Sequence, residues 1–180
     1  MYERGLIAGQ DGNVSMRVDA DRLLVTPAGR SKVDVGEREL VALHLDGRRV
    51  RGQSALGEAS SEVRVHLAAY RVRGDIMAVV HAHPPTATGF TIAGESLDDD
   101  GLGELVYSVG RVPLVPYAVS GSAELAEGVA RLLVAHDVVL LEKHGAVAVG
   151  TTLVGAHQRM ESVEHAARIH RAVPLAQFLW

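Results

Sequence analysis

Two imidazoles spaced two residues apart, His81 and His83 in the string His81-Ala82-His83-Pro84-Pro85, are the best-placed chemical groups in this chain of 180 residues. The apolar run Ile76-Met77-Ala78-Val79-Val80 leads directly into them. That run is short, continuous and rich in β-branching, so it predicts a buried strand over 76–81. Side chains at i and i+2 of a strand share a face, so the two rings stand side by side where the strand ends. Two prolines then stop the ladder, because neither can donate a backbone N–H. Paired imidazoles at a strand end make a natural half of a zinc-type site. The alternative is one buried, hydrogen-bonded histidine and one exposed histidine with no shared task.

His144-Gly145 offers a third imidazole in a similar setting, just past the apolar run Val138 to Leu141. The glycine permits close approach of another group. Three neutral imidazoles with one position left open form the pattern of a catalytic divalent-cation site. Taken alone, His144 reads as a capping or surface residue.

Glu62 follows Ser60 and Ser61 at a predicted helix start. Free N–H groups and the helix dipole favour anions there, and the hydroxyls add donors, so a phosphate could bind. The plainer reading is a helix cap with an acidic first turn. Gly12-Asn13-Val14-Ser15 opens one predicted strand and Thr26-Pro27-Ala28-Gly29 is a turn closing its partner. Together these could form a backbone nest for an anion, although such turns are common. Arg30 and Lys32, just beyond that turn, read as solvated loop charge.

The elements that must position these groups alternate between strand-like and helix-like patterns, which favours a layered α/β domain spanning 1–180. Met1 to about Gly9 predicts the last turns of a helix. Strands are expected over 13–18, 22–26, 41–45, 76–81, 114–117, 138–141 and 146–149. Helices are expected from Ser60-Ser61 to about Arg73, over 86–93, from Ser122 to about Ala135, and over 152–169. The stretch 95–112 has no clear period, and Asp98-Asp99-Asp100-Gly101 within it reads as a solvated loop.

Composition narrows the function. A net charge of -4 gives no basic footprint for nucleic acid. No apolar stretch is long enough to span a bilayer, and no signal-peptide core is visible at the start. With no cysteine, any metal site must use His, Asp or Glu, which fits an open catalytic site better than a closed structural one. A cytoplasmic location is the expectation. His44, His66, His136, His157, His165 and His170 lack strand-end spacing and read as structural or surface residues. His157 and His165 share the last helix, where they could face a subunit interface.

In order, GNVS, TPAG, SSE, HAHPP and KHG resemble the motifs of the class II aldolase/adducin family, whose best-known member type is L-fuculose-1-phosphate aldolase. The resemblance runs from Gly5-Leu6 to the final helix and includes Pro113-Leu114-Val115-Pro116-Tyr117-Ala118. It implies a three-layer α/β/α fold around a central, mostly antiparallel sheet. It implies that His81, His83 and His144 hold one divalent ion per chain, most often zinc, with manganese or cobalt as substitutes. Glu62 would donate and accept the proton, and would join the metal ligands when substrate is absent. Gly12, Asn13, Gly29, Ser60 and Ser61 would hold the substrate phosphate, with Thr26 beside them. A homotetramer with sites at subunit interfaces is also implied.

The expected reaction is retro-aldol cleavage of a small phosphorylated sugar such as a ketose 1-phosphate, through an enediolate. Decarboxylation, 4-epimerisation and dehydration are the alternatives on the same fold. A non-catalytic adducin-like domain and a phosphosugar sensor are the non-enzymatic ones. The chain departs from the fuculose-phosphate aldolases near 100–105, where their tyrosine has no match. Gly101-Leu102-Gly103-Glu104 stands there, Glu104 reads as a helix-start carboxylate, and Tyr107 is out of register. Those aldolases also use residues near the C-terminus that have no match before Trp180.

Overall fold

The computed structural model describes residues 1–52, 57–97 and 107–177, with side chains described up to residue 172. The expectations for Asp98 to Gly101, Leu102, Gly103 and Glu104 lie outside the described residues.

Seven strands form one sheet: β1 (Asn13–Arg17), β2 (Arg22–Val25), β3 (Val41–His44), β4 (Ala78–Ala82), β5 (Leu114–Val115), β6 (Val138–Leu141) and β7 (Gly145–Gly150). Their spatial order is β3-β2-β1-β4-β7-β6-β5. Every pairing is antiparallel except β5 with β6. The expected mostly antiparallel sheet is what the chain forms. Among the described residues, four α-helices cover it: α1 (Val63–Val72), α2 (Pro85–Ala93), α3 (Ala123–Leu133) and α4 (Leu153–Gln177).

Strand alternation builds the three layers. Val79, Val139, Leu141, Val147 and Val149 join Val65, Ala69, Leu125 and Val129 of α1 and α3 in one core. Ala78, Val80, Val138, Leu140, Ala146 and Ala148 join Ala156, Met160 and Val163 of α4 in the other, with Ala87 of α2. Small alanines on the second face of β4 and β7 let α4 lie close to the sheet, while β-branched residues fill the first face. Every residue of β4 is buried, as befits a central strand covered on both faces.

Three expectations need correction. Residues 1–9 form turns rather than the end of a helix: Gly5 N–H bonds the Tyr2 carbonyl and Leu6 N–H that of Met1. Gly5 and Gly9 sit at φ of 68° and 52°, in the left-handed region that interrupts a right-handed helix. The central strand runs 78–82, so His81 lies within it and His83 just beyond. Glu62, not a serine, occupies the N-cap of α1, and its side chain makes no capping bond. At α3 the expected Ser122 cap does form, accepting from Leu125 N–H at 3.1 Å.

Candidate metal centre

His81 points to the α1/α3 side of the sheet, sharing the parity of Val79, and is buried. His83 follows on the same side, and the turn from β6 to β7 brings up His144. The three ring centroids lie 4.9, 4.9 and 5.0 Å apart. One nitrogen from each ring falls within 4.8 Å of the others.

The backbone makes this convergence possible. Gly145 pairs with Leu141 at the tip of the β6–β7 hairpin. A Cβ there would press on the Ala82 carbonyl oxygen and come 2.7 Å from Cδ2 of His83. Glycine is therefore a requirement of the close approach between β7 and the His83 ring. Lys143, one residue before His144, has φ 57°, the single non-glycine left-handed residue among those described. Such a conformation costs an L-residue about 1–2 kcal/mol. Here it turns the chain so that His144 faces inward. Gly12, at φ 70°, packs so tightly that a Cβ would lie 2.7 Å from the His81 carbonyl oxygen.

Ring orientation is fixed by second partners. Nδ1–H of His81 donates to the Ala146 carbonyl at 2.9 Å, which aims Nε2 at the centre. Nε2 of His83 stands 3.1 Å from that same nitrogen. Glu62 then bridges two imidazoles, with Oε2 3.1 Å from His81 Nε2 and Oε1 3.2 Å from His144 Nε2. Burial lowers the His144 pKa to about 4, with repulsion from His81 adding to it, and burial likewise lowers that of His83. The His83 and His144 rings, held neutral, therefore face a carboxylate. Three imidazoles with one acid suit a divalent ion.

Glu62 is buried and fully engaged. Burial pushes its carboxyl up, but the hydrogen bond and charge of His81, the charge of His144 and the Ser120 hydroxyl outweigh it, holding the acid well below the usual carboxylate range. Ser120 Oγ–H donates to Oε1 at 2.8 Å and the Asn13 amide donates to Oε2 at 2.9 Å. No sequence motif singles out Ser120. It sits beside Gly121, at φ 73°, where the loop packs so closely that a Cβ would lie 2.8 Å from the Ser61 carbonyl oxygen.

A cavity of about 220 Å³ opens over these groups. Glu62, His83 and His144 line its inner part, and Gly12, Asn13, Gly29, Ser60 and Ser61 line the rest. Thr26 is placed differently: it is buried, and its hydroxyl accepts from Val14 N–H at 3.1 Å. Its backbone carbonyl accepts from Ser60 N–H, so Thr26 supports the serine from behind. Lys32 overturns the solvated-loop reading. It is half-buried on the cavity wall, where Nζ donates to the carbonyls of Gln10 and Arg30 at 2.6 and 2.8 Å. Asp11 is a second missed neighbour, 3.5 Å from His83 Nδ1. Larger clefts of about 460 and 830 Å³ lie between α1 and α3 and beside the N-terminus, but the three-imidazole cluster lies at neither.

His66 departs from the surface half of its expectation: it is wholly buried. His157 and His165 do lie on α4, and His165 is exposed. Tyr107 is almost fully exposed, at 95%. Among the described residues no helix is long and apolar enough to cross a membrane.

A seven-stranded layered α/β domain with three imidazoles and a carboxylate at one strand end defines a candidate metal-dependent enzyme fold. The family model for the class II aldolase and adducin N-terminal domain matches residues 1–171, and the chain belongs to that family. It is 34% identical over 173 residues to the 3-oxo-tetronate 4-phosphate decarboxylase of Pectobacterium atrosepticum, covering 93% of this chain and 77% of that one. It is 30% identical over 174 residues to the L-fuculose phosphate aldolase of Methanocaldococcus jannaschii, covering 94% and 88%. Among solved structures, the L-fuculose-1-phosphate aldolase of Thermus thermophilus superposes with a TM-score of 0.85 at 32% identity, covering 98% of this chain and 89% of that one.

Proposed function

We propose that this chain is a divalent-metal-dependent lyase that cleaves a carbon–carbon bond next to a carbonyl in a small phosphorylated sugar. The observation that carries the reading is Glu62 held ionised between His81 and His144, in the wall of a donor-lined cavity. His81, His83 and His144 would hold the ion, with zinc the best match to three imidazoles and an open position. When bound, the ion supplies Lewis-acid stabilisation of charge growing on the substrate oxygen.

The protein's own groups do the rest. Ser60, Ser61 and the Gly12–Asn13 segment offer hydroxyl, amide and backbone donors to the phosphate, and Lys32 adds a positive charge on the same wall. Anchoring the phosphate at a distance fixes the reacting carbons near Glu62. In retro-aldol cleavage Glu62 would take the hydroxyl proton and, once the bond has broken, return a proton to the enediolate carbon. In synthesis it would remove the carbon proton and return it to the new alkoxide. Ser120 and Asn13 hold each carboxylate oxygen so that the acid stays aimed.

Retro-aldol cleavage of a ketose 1-phosphate is the first reading. Decarboxylation of a 3-oxo acid phosphate is the second, favoured by the 34% identity to such a decarboxylase. Both leave negative charge beside a carbonyl, so the same residues serve either. The deciding experiment pairs elemental analysis with product detection on a panel of ketose 1-phosphates and 3-oxo-tetronate 4-phosphates. About one divalent ion per chain and chelator-sensitive release of dihydroxyacetone phosphate plus an aldehyde supports the aldolase. Release of carbon dioxide from the second set supports the decarboxylase. A metal-replete protein that holds no ion overturns both.

A further inference from the structure

Beneath Glu62, five side chains alternate between α1 with its N-cap and strand β1. Asn13 Nδ2–H donates to Glu62 Oε2 at 2.9 Å. Asn13 Oδ1 faces His66 Nε2 at 2.5 Å. His66 Nδ1 faces Ser15 Oγ at 2.7 Å, and Ser15 Oγ faces the Tyr70 hydroxyl at 2.9 Å. All five residues are buried.

The alternation follows from matched spacing. Glu62, His66 and Tyr70 are each four residues apart, about 6 Å of helix rise per step. Asn13 and Ser15 are two apart on one strand face, about 6.7 Å per step. A strand and a helix start running side by side therefore interleave their side chains like a zip. Asn13 is also directly opposite His81 in the β1–β4 ladder, which ties the zip to the metal centre.

We propose that His66 is a positioning residue for Glu62, acting through a one-way hydrogen-bond chain that holds the Asn13 amide nitrogen toward the carboxylate. The inference rests on the reading that Glu62 moves protons. The direction of the chain follows from the inventory of donors. A carboxylate can only accept, so Asn13 must turn its NH₂ to Glu62 and its Oδ1 to His66. His66 must then donate from Nε2 and, being neutral, accept at Nδ1. Ser15 donates to Nδ1, and Tyr70 donates to Ser15. Burial supports the neutral ring, lowering the His66 pKa to about 3. It also keeps the proton on Tyr70, whose pKa is raised to about 12.

The opposite tautomer would put a lone pair against Asn13 and turn the amide, setting Oδ1 against the carboxylate with no proton between them. His66 is wholly buried, so no water can stand in for its bond to Asn13. The chain thus gives Asn13 one allowed orientation, and Glu62 one fixed donor.

Two measurements test this. The first is ¹⁵N NMR of histidine-labelled protein at neutral pH, with the His66 signal assigned by its loss in His66→Gln. A protonated Nε2 and an unprotonated Nδ1 are expected. The reverse tautomer, or an imidazolium, overturns the proposal. This measurement needs no substrate, so it fails or holds separately from the lyase reading. The second compares His66→Phe and His66→Gln on whichever panel substrate is turned over. His66→Phe should keep its metal and lose about tenfold or more in kcat, with KM within about threefold. His66→Gln, whose amide can still donate to Asn13, should recover much of the loss. Equal kcat in the two variants, or wild-type kcat per bound metal in His66→Phe, overturns the role.

Discussion

The two structural segments that bring histidines together reach the same point by different means. β4 and the residue just past its end supply His81 and His83 through strand-like alternation, two residues apart on one face at the end of a buried central strand. The β6–β7 turn supplies His144 through a left-handed lysine and a glycine with no room for a Cβ. The first device uses only periodicity and tolerates any residue at Ala82 that fits the core. The second depends on two exceptional backbone positions. A regular element can therefore carry part of a site without local strain, while the part brought in from a neighbouring strand must be bent into place.

Breaking the second device should have the largest effect. Gly145→Ala puts a Cβ against the Ala82 carbonyl and the His83 ring, so β7 must move away from β4. A loss of about 3 kcal/mol or more in denaturant unfolding is expected, with loss of metal. A variant with wild-type midpoint and metal content would show that the hairpin tip yields easily.

Breaking the first device should be gentler on the fold. His83 is half-buried at a strand end, so His83→Ala should unfold close to wild type. Its ion affinity should fall by about a hundredfold or more, read by titration with a competing chelator. Glu62→Gln keeps the shape between the two devices and removes the charge. It should retain the ion while kcat falls about a hundredfold or more, since the amide cannot accept a proton. Unchanged turnover would remove Glu62 from proton transfer.

Acid sharpens the comparison further. His66 has an ordinary pKa of 6.5 and a folded value of about 3, so between these the unfolded chain binds the extra proton. Stability should fall by about 1.4 kcal/mol per pH unit from this histidine alone as pH drops below 6.5. His144 adds a loss of the same sign between 6.5 and about 4. Glu62, held low, adds its own only once pH falls below its ordinary 4.5. Urea midpoints of metal-free protein from pH 7 to pH 4 would read this, and a flat profile would contradict the buried neutral rings. The smallest effect belongs to Lys143→Gly. Relief of the left-handed conformation should stabilise by up to about 1 kcal/mol, offset by the backbone freedom that glycine adds when unfolded. A clear loss of thermal stability would show that the lysine side chain matters, through Glu142 at 3.4 Å or the Tyr117 ring.

What can be read from sequence follows the same division. The β4 run and its two histidines are legible because period and composition agree over 76–83. The role of glycine at 145 is legible as a close approach, though not what would approach. Ser120 gives no signal, because a lone loop serine reaches Glu62 only after Gly121 seats its loop on Ser61. Lys32 misleads because backbone carbonyls distant and near in sequence, Gln10 and Arg30, draw it to the cavity. The Asn13–Ser15 and Glu62–His66–Tyr70 spacings are both visible in the chain. Their meaning requires knowing that α1 starts alongside β1. The N-terminal turns escape because apolar residues such as Leu6 and Ile7 suggest a helix, and the two left-handed glycines decide otherwise.

The order of strands also has a consequence for the growing polypeptide. β4 lies between β1, made before it, and β7, completed only at Gly150. During synthesis β4 can pair with β1 early, but its other edge stays open until β7 has emerged. The third imidazole, His144, therefore joins the first two late. Any nascent or truncated chain ending before β7 presents a bare strand edge next to two histidines, which makes it a candidate for chaperone capture and for pairing with the wrong chain.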